Sequence, residues 1–240
     1  MKFNAQLKLT PIGIIETPFD DKSAAPRQPG IGKATEAIVR LYPHRNFEQA
    51  LEGLDGFEKI WLIYLFDRNE GWKPLVRTPC GGETKRPLFT TRSPYRPNPI
   101  GISAVDLIDV RGLSLRVANV DLLNGTPILD IKPYLPSADA FPNAKAGWTD
   151  EIPRYERIVT ITQEAAAVAE QVLRDTGIDI LARVKAAIEH EDLGDPALNH
   201  PYKRLRAVPT GFELAIKSWR IHFTYDAHAS HVTIDDIRSA

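Results

Sequence analysis

The chain has 240 residues, a formal charge of −1 and an ordinary apolar content, which suits one large domain or a main domain with a small appendage. Its single cysteine, Cys80, excludes an internal disulfide framework and any cysteine-rich metal site, and no apolar run is long enough to span a bilayer. The opening MKFNAQLKLTPIG lacks the apolar core of a signal peptide, so a cytoplasmic protein is the simplest reading; the near-zero charge is silent on nucleic acid, because a local patch of cations is enough to bind it.

In chain order, KLTPIGIIE (8–16) alternates and is β-branched, which predicts a first strand. A long loop rich in proline and glycine follows. ATEAIVRLY reads as a strand, and FEQALEGLDGF as a short helix stopped by Gly53 or Gly56. KIWLIYLF (59–66) is a nearly unbroken apolar run and predicts a strand buried on both faces. DRNEGWKPLVRTPCGGETKRP reads as a loop. ISAVDLIDVRG, LSLRVANVDLL and PILDIKPYL predict three more strands. Most of the nineteen prolines fall in the first two thirds, as expected for strands joined by rigid connections. Short strands with regular turn signals predict a barrel or a sandwich. After about residue 155 the pattern changes. ITQEAAAVAEQVLRDTG and IDILARVKAAIEHEDLG have helical spacing, and FELAIKSWRIHFTYDAHASHVTIDDI predicts two or three antiparallel strands. The expected organisation is a mainly β domain over 1–155 and a small α+β domain over 156–240.

Three segments concentrate unusual residue types. TTRSPYRPNPIGIS (90–103) holds Arg92, Arg96, Asn98 and three X-Pro bonds. Proline fixes φ and keeps the residue before it extended, so this loop is frozen before anything binds. Arg92 and Arg96 offer planar forks for carboxylate, phosphate or a stacked ring, and Asn98 offers both a donor and an acceptor. PRQPG (26–30) is a second cationic turn braced by proline. In DLLNGTPILDIKPYL (121–135), Asn124-Gly125 signals a tight turn, and Asp130 and Lys132 share one strand face. The plainer reading of Asp130 with Lys132 is a same-face ion pair. Likewise, KRLR at 203–206 is most simply a solvated charge run, and Trp61, Tyr64 and Phe66 most simply belong to a core. The histidines show no metal spacing.

Together PRQPG, TRSPYRPNPIG and DLLNGTPILDIKPYLP resemble the TsaA-like family of TrmO tRNA methyltransferases, in the family's order and spacing from about Pro11 to Asp139. Asp195, Pro196, Pro201 and Tyr202 resemble the family's C-terminal DPRPAY motif, here stretched to DPALNHPY. The resemblance implies a β-barrel catalytic domain, a homodimer with its cofactor site near the subunit interface, and transfer of methyl from S-adenosyl-L-methionine. The acceptor it implies is N6 of threonylcarbamoyl-adenosine beside the anticodon, at position 37, of threonine-decoding tRNA. No metal and no membrane are implied. On the family pattern the cofactor contacts are Pro26, Arg27, Gln28, Asp67, Arg68, Arg92, Ile102, Gly125, Thr126, Pro127 and Ile128. Asp67 stands where many members carry histidine; a carboxylate there would accept hydrogen bonds from ribose hydroxyls or the methionine ammonium. The absence of a glycine-rich strand-to-helix fingerprint agrees with a cofactor site that is not of Rossmann type.

The chemistry assigns further expectations. The acceptor nitrogen is conjugated with the ring and the ureido carbonyl, so it is a poor nucleophile with an acidified N–H, and a positioned acceptor would help. Asp130 is the first candidate base, with Tyr134 orienting or stacking. Lys132 or Arg96 would take the threonyl carboxylate. Arg96, Asn98, Lys203 and Arg204 are the expected tRNA contacts, with Lys85, Arg86 and Arg206 as further cations for phosphates. A barrel that binds S-adenosylmethionine without turnover, and a methyltransferase of the same fold acting on a small molecule, remain the competing readings.

Overall fold

Alternation of apolar residues produces strands with one face to bury, and six of them solve that problem by closing on themselves. In a computed structural model, which describes residues 8–20, 25–26, 35–78, 84–152, 155–188, 193–194, 198 and 204–240, the barrel strands are β1 (Gly13–Glu16), β2 (Glu36–Leu41), β3 (Lys59–Leu65), β6 (Ile100–Arg111), β7 (Ser114–Ala118) and β8 (Pro127–Pro133). They pair antiparallel in the order β1-β2-β7-β6-β3-β8, and β8 returns to β1. Ile15, Val39, Ile60, Leu62, Val105, Leu115, Val117 and Ile128 fill the interior, each inaccessible to solvent. The barrel is therefore a packed core and not a pore.

Several elements differ from the sequence reading. β1 begins at Gly13, not at residue 8. β3 alternates: Ile60, Leu62 and Tyr64 point inward, while Trp61, Ile63 and Leu65 are half-buried outside. The run reads as continuous because its outer face is also partly covered: Trp61 packs on Tyr134 at 5.4 Å and donates through Nε1 to Asp139 at 3.0 Å. Residues 47–56 form one helical turn, α1 (Phe47–Ala50), and a 3₁₀ turn at Leu54–Gly56, separated by Gly53 at φ +77°, a conformation that ends a helix. The segment expected to be a loop contains a small hairpin, β4 (Leu75–Arg77) and β5 (Lys85–Pro87). A short turn of helix, α2 (Pro136–Asp139), follows β8.

A second core lies beyond it. β9 (Ile158–Ile161), β10 (Leu205–Val208), β11 (Gly211–Ile216), β12 (Trp219–Asp226) and β13 (His231–Ser239) form a sheet ordered β10-β11-β12-β13-β9, with β9 parallel to β13. Helices α3 (Gln163–Thr176) and α4 (Ile180–Ile188) supply Ala165, Val172, Ile180, Val184 and Ile188 to its core. Thr162 caps α3 by accepting from the Ala165 amide, and Gly177 at φ +69° ends it. The parallel β9 strand was not foreseen. The DPALNHPY motif and Lys203 lie largely outside the described residues. Arg183 on α4 donates to the Ala25 carbonyl at 2.7 Å, tying this unit to the loop after β1.

Glu213 is the charged group this sheet buries. It is almost fully covered and accepts from Arg206 at 2.6 Å and Arg238 at 3.1 Å. Burial pushes its pKa up, but the two guanidiniums outweigh burial and hold it below the usual carboxylate range. Arg206, read as part of a solvated run, is thus structural. A depressed pKa gives stability that is complete above the unfolded value and is lost as pH falls through the folded one. Glu213→Gln is expected to lower unfolding free energy by about 2 kcal/mol near neutral pH. The gap from the parent should narrow on acidification, as read by urea denaturation across a pH series.

Candidate active site at the barrel mouth

Chain direction decides which residues meet. β1, β3 and β7 end, and β6 and β8 begin, at the same rim of the barrel. The connections that carry Asp67 and Arg68, the RPNPIG turn, Asp121 and the Asn-Gly turn therefore converge there. Arg68 fastens that rim: its guanidinium donates to the Asp20 carbonyl at 2.8 Å and to the Asn124 carbonyl. Asn124 in turn accepts from the Thr17 amide at 3.3 Å and donates to Asp20 at 3.1 Å. Gly125, exposed at φ +78°, turns the chain into β8, and its amide donates to the Ile15 carbonyl at 2.8 Å.

Below the rim lies a polar chain, buried at Tyr64 and Ser103 and half-buried at Asp121. Tyr64 Oη is 3.2 Å from Ser103 Oγ, and Ser103 Oγ donates to Asp121 Oδ1 at 2.7 Å. A serine has one proton to give. Because it goes to Asp121, the Tyr64 hydroxyl must be the donor in its own bond to Ser103. Burial pushes the Tyr64 phenol up, and the nearby Asp121 charge adds to this, so the phenol stays protonated. Burial also raises the Asp121 carboxyl, against the opposing pull of Ser103, the backbone amide of Asp121 and the charge of Arg92.

Strand alternation sends neighbours of this chain the other way. Ser103 faces inward beside Leu62, whereas Ile102, paired with Ile63, stands outside and is 54% exposed. Asp130 joins Ile102 on the outer face because of a β-bulge. Tyr64 pairs with Ile128 and Ile63 with Asp130, leaving Leu129 as the extra residue. Without the bulge, Asp130 would share the inward parity of Ile128. Asp130 and Lys132 do share a face and form the plain ion pair, at 2.9 Å, while the other Asp130 oxygen accepts from the Ile131 amide. Tyr134 lies at the end of the same strand.

The proline-rich loop is held by its own arginine. Arg96 donates to the Thr91 carbonyl at 3.0 Å and lies over the Phe89 ring at 5.7 Å. Arg92 is exposed, and among the described residues it has no hydrogen-bond or ion-pair partner. The loop re-enters β6 through Gly101. A β-carbon there would sit 2.3 Å from the Tyr64 ring, so only glycine lets that ring lie against the strand.

The structure thus brings Asp67, Arg68, Arg92, Gly125, Thr126 and Pro127 to one rim, with Ile102, Asp130 and Lys132 just over its edge. Pro26 is half-buried in the loop after β1, next to the clamped Ala25; Arg27 and Gln28 lie outside the described residues. The Ile128 side chain is in the barrel core and presents only backbone. Asn98 is exposed on the RPNPIG turn. Arg204, which donates to the Ala215 carbonyl at 3.2 Å, belongs to the second sheet. The sequence reading passed over Asp121 and Ser103 as site residues. Their signal was slight: one carboxylate inside the apolar VANVDLL and one hydroxyl inside GISAV.

The profile of the tRNA-methyltransferase O N-terminal domain matches residues 14–140. The chain belongs to the TrmO family. The matched span contains every residue of the rim. Across 160 residues the chain is 40% identical to the tRNA (adenine(37)-N6)-methyltransferase of Escherichia coli K12, covering 64% of this chain and 68% of that one. Across 141 residues it is 43% identical to a probable S-adenosyl-L-methionine-binding protein of Pyrococcus abyssi, covering 59% and 75%. The crystal structure of TrmO from Pseudomonas aeruginosa superposes with a TM-score of 0.62 at 28% identity, covering 98% of this chain and 99% of that chain. The likeness to a TrmO structure therefore extends over the second sheet, beyond the family profile.

Gly101→Ala tests the packing of this rim. The added methyl must displace the Tyr64 ring, so a loss of about 1–3 kcal/mol in unfolding free energy is expected. Unchanged thermal stability would show that Tyr64 does not need its place against β6.

Proposed function

We propose that the chain transfers a methyl group from S-adenosylmethionine to N6 of adenosine 37 in tRNA. The acceptor is the threonylcarbamoylated adenosine of threonine-decoding tRNA. The observation that carries this reading is the rim itself: of the residues that the family pattern assigns to the cofactor, scattered from Pro26 to Ile128 in sequence, Asp67, Arg68, Arg92, Gly125, Thr126 and Pro127 meet at one end of the barrel, with Ile102 just over its edge. The residues suit such a cofactor. Arg92 is an exposed guanidinium with no hydrogen-bond or ion-pair partner among the described residues, and it matches a carboxylate. The exposed Gly125 turn lets a ligand approach backbone closely. Ile102 offers an exposed apolar surface beside them.

When bound, the cofactor supplies an electrophilic methyl on its sulfonium. The remaining work falls to the chain. Asp130 is paired with Lys132 at rest. A substrate bearing both a carboxylate and an acidified N–H exchanges with that pair: Lys132 passes to the threonyl carboxylate, and the freed Asp130 oxygen accepts the N6 hydrogen. Tyr134, held against Trp61, borders the same face and orients the base. Asn98, exposed on its turn, reads a base edge. Arg96 is committed to its own loop and acts by shaping it.

Docking of RNA is supported by local charge. Residues 67–99 carry seven basic and three acidic side chains in a chain of net charge −1. Aromatic rings stand among them: Lys73 lies over Tyr95 at 5.0 Å, Arg86 over Trp148 at 4.9 Å, and Phe89 is 76% exposed. Cations for phosphates and rings for unpaired bases are what a single-stranded anticodon loop requires. We read residues 1–155 as the methyltransferase domain and 156–240 as its appended domain. Ile100 and Ile102 leave an apolar strip on the outer wall beside the rim, which supports a homodimer; sedimentation showing a monomer at working concentration would remove that part. A cytoplasmic location follows from a tRNA substrate, and fractionation of cells checks it.

Methyl transfer from labelled S-adenosylmethionine is expected for threonine tRNA carrying the threonylcarbamoyl group and not for the same tRNA lacking it. Asp130→Asn is expected to lower kcat by about 10²-fold with cofactor affinity retained. Cofactor binding without transfer to either tRNA would leave a binding module, and failure to bind tRNA at low salt would point to a small-molecule acceptor.

A further inference from the structure

An exposed phenylalanine stands on a rigid mount at the start of the proline-braced loop. Phe89 is the middle residue of a 3₁₀ turn, Leu88–Thr90. Its neighbour Leu88 is buried, yet Phe89 is 76% exposed, more than any other large apolar side chain among the described residues. The turn beneath it is held from several sides. The Leu88 amide donates to the Pro74 carbonyl at 2.8 Å, which ties the turn to the β4–β5 hairpin. The Thr91 amide and hydroxyl both donate to the Leu88 carbonyl, at 3.0 and 2.8 Å, and the Thr90 hydroxyl donates to the Pro87 carbonyl at 2.8 Å. From outside, the Trp148 indole donates to the Thr90 carbonyl at 2.8 Å while the Arg86 guanidinium lies over its ring. Arg96, itself fixed on the Thr91 carbonyl, lies over the Phe89 ring at 5.7 Å.

A ring mounted in this way gains little from burial within its own chain and has little freedom left to lose when something covers it. Its surroundings select the occupant. Lys85, Arg86, Arg92 and Arg96 flank Phe89, and from Lys85 to Val105 the chain has no acidic residue. A protein surface seated on Phe89 would have to bring acids for those cations as well as an apolar patch. RNA brings phosphates and flat ring faces together. A ring with a guanidinium on one face still has the other face to offer a base.

We propose that Phe89 is a specificity-determining residue for the acceptor RNA: an unpaired base of the anticodon loop, other than the adenosine that receives the methyl group, stacks on its open face. The inference rests on the reading of the chain as a tRNA methyltransferase. Phe89 meets the RNA away from the reacting atoms, so it governs which RNA is held and leaves the rate of methyl transfer to the rim.

The test uses the full chain and three RNAs: threonine tRNA carrying the threonylcarbamoyl group, its anticodon stem-loop, and a blunt duplex with as many phosphates as the stem-loop. Phe89→Ala is expected to weaken binding of the tRNA and the stem-loop about tenfold, the size of one base–aromatic stack. KM for the tRNA should rise by a similar factor, with kcat, S-adenosylmethionine affinity and Tm retained. Duplex binding should not change, and the slope of log affinity against log salt should stay that of the wild type, because a lost stack releases no counterion. Phe89→Tyr should restore stem-loop affinity, whereas Phe89→Leu, apolar but without a π-face, should not. Wild-type affinity in Phe89→Ala, rescue by leucine, or an equal loss on the duplex would each overturn the proposal. A fall in Tm that parallels the loss of binding would overturn it in favour of packing, and a changed sedimentation coefficient in favour of a second copy of the chain on this ring. Failure of the wild-type chain to bind any of the three RNAs at low salt would instead overturn the tRNA reading underneath.

Discussion

Everything at the rim depends on a short seam between β1 and β8. The ladder there has only two residue pairs, Gly13 with Ile128 and Ile14 with Pro127. Three further backbone bonds extend it: Ile12 to the Ile128 carbonyl, Ile15 to the Thr126 carbonyl, and Gly125 to the Ile15 carbonyl. Without this seam the sheet would have two open edges and would expose the Ile15 and Ile128 side chains. The turn that makes it possible is the one at Gly125, and Pro127 sits at the first residue of its strand, where a missing N–H is tolerated. Arg68 and Asn124 then tie the seam to the loop after β1. The segment that closes the barrel is therefore also the segment that the family pattern assigns to the cofactor. Thr126 and Ile128 are buried there, and their side chains hold the backbone of the mouth in place.

The strand geometry divides the site into an inside and an outside. Period-two alternation places Ser103 within and Ile102 without, one residue apart. Polar groups inside must find partners, which is why Tyr64, Ser103 and Asp121 satisfy one another. Polar groups outside can stay exposed and exchange partners. Asp130 and Lys132 are of that second kind, and the bulge at Leu129 is what puts them there. A fixed inner network and an exchangeable outer pair suit different tasks, the first to set geometry and the second to meet a substrate.

These features were unequally legible in the sequence. β3 follows from its apolar run, and β6 and β8 from apolar stretches bounded by turn signals, while the proline-braced loop and the Asn-Gly turn declare themselves through residues with restricted or permissive φ. The change of character near residue 155 is visible as a change of period from two to 3.6. The bulge was not legible, because it depends on which residue of β3 each residue of β8 opposes, and pairing register is a tertiary fact. Asp121 was not legible as part of a network because its anchor, Ser103, is 18 residues away, and Tyr64 is a further 39 residues from Ser103. The parallel pairing of β9 with β13 joins segments about 70 residues apart, for which short-range pattern gives no signal. Conversely, Asp130 with Lys132 could be read correctly as a pair from spacing alone, because residues i and i+2 of a strand share a face where no bulge falls between them.

Near-zero net charge conceals an uneven distribution. On the barrel wall, cations are matched to acids: Arg40 with Glu16, Lys59 with Asp106, and Arg111 and Arg116 with Asp109. In the second sheet Arg206 and Arg238 converge on Glu213. Around the mouth the pattern is different. Arg68 and Arg96 are satisfied by carbonyls, and Arg86 and Lys73 by aromatic faces. Carbonyls and rings stabilise a cation without cancelling its charge. The wall is therefore locally neutral, whereas the mouth and the β4–β5 excursion keep their positive charge. A field of that shape falls away within about 8–10 Å at physiological salt, so it acts on a polyanion already near the rim and leaves the rest of the surface indifferent to it.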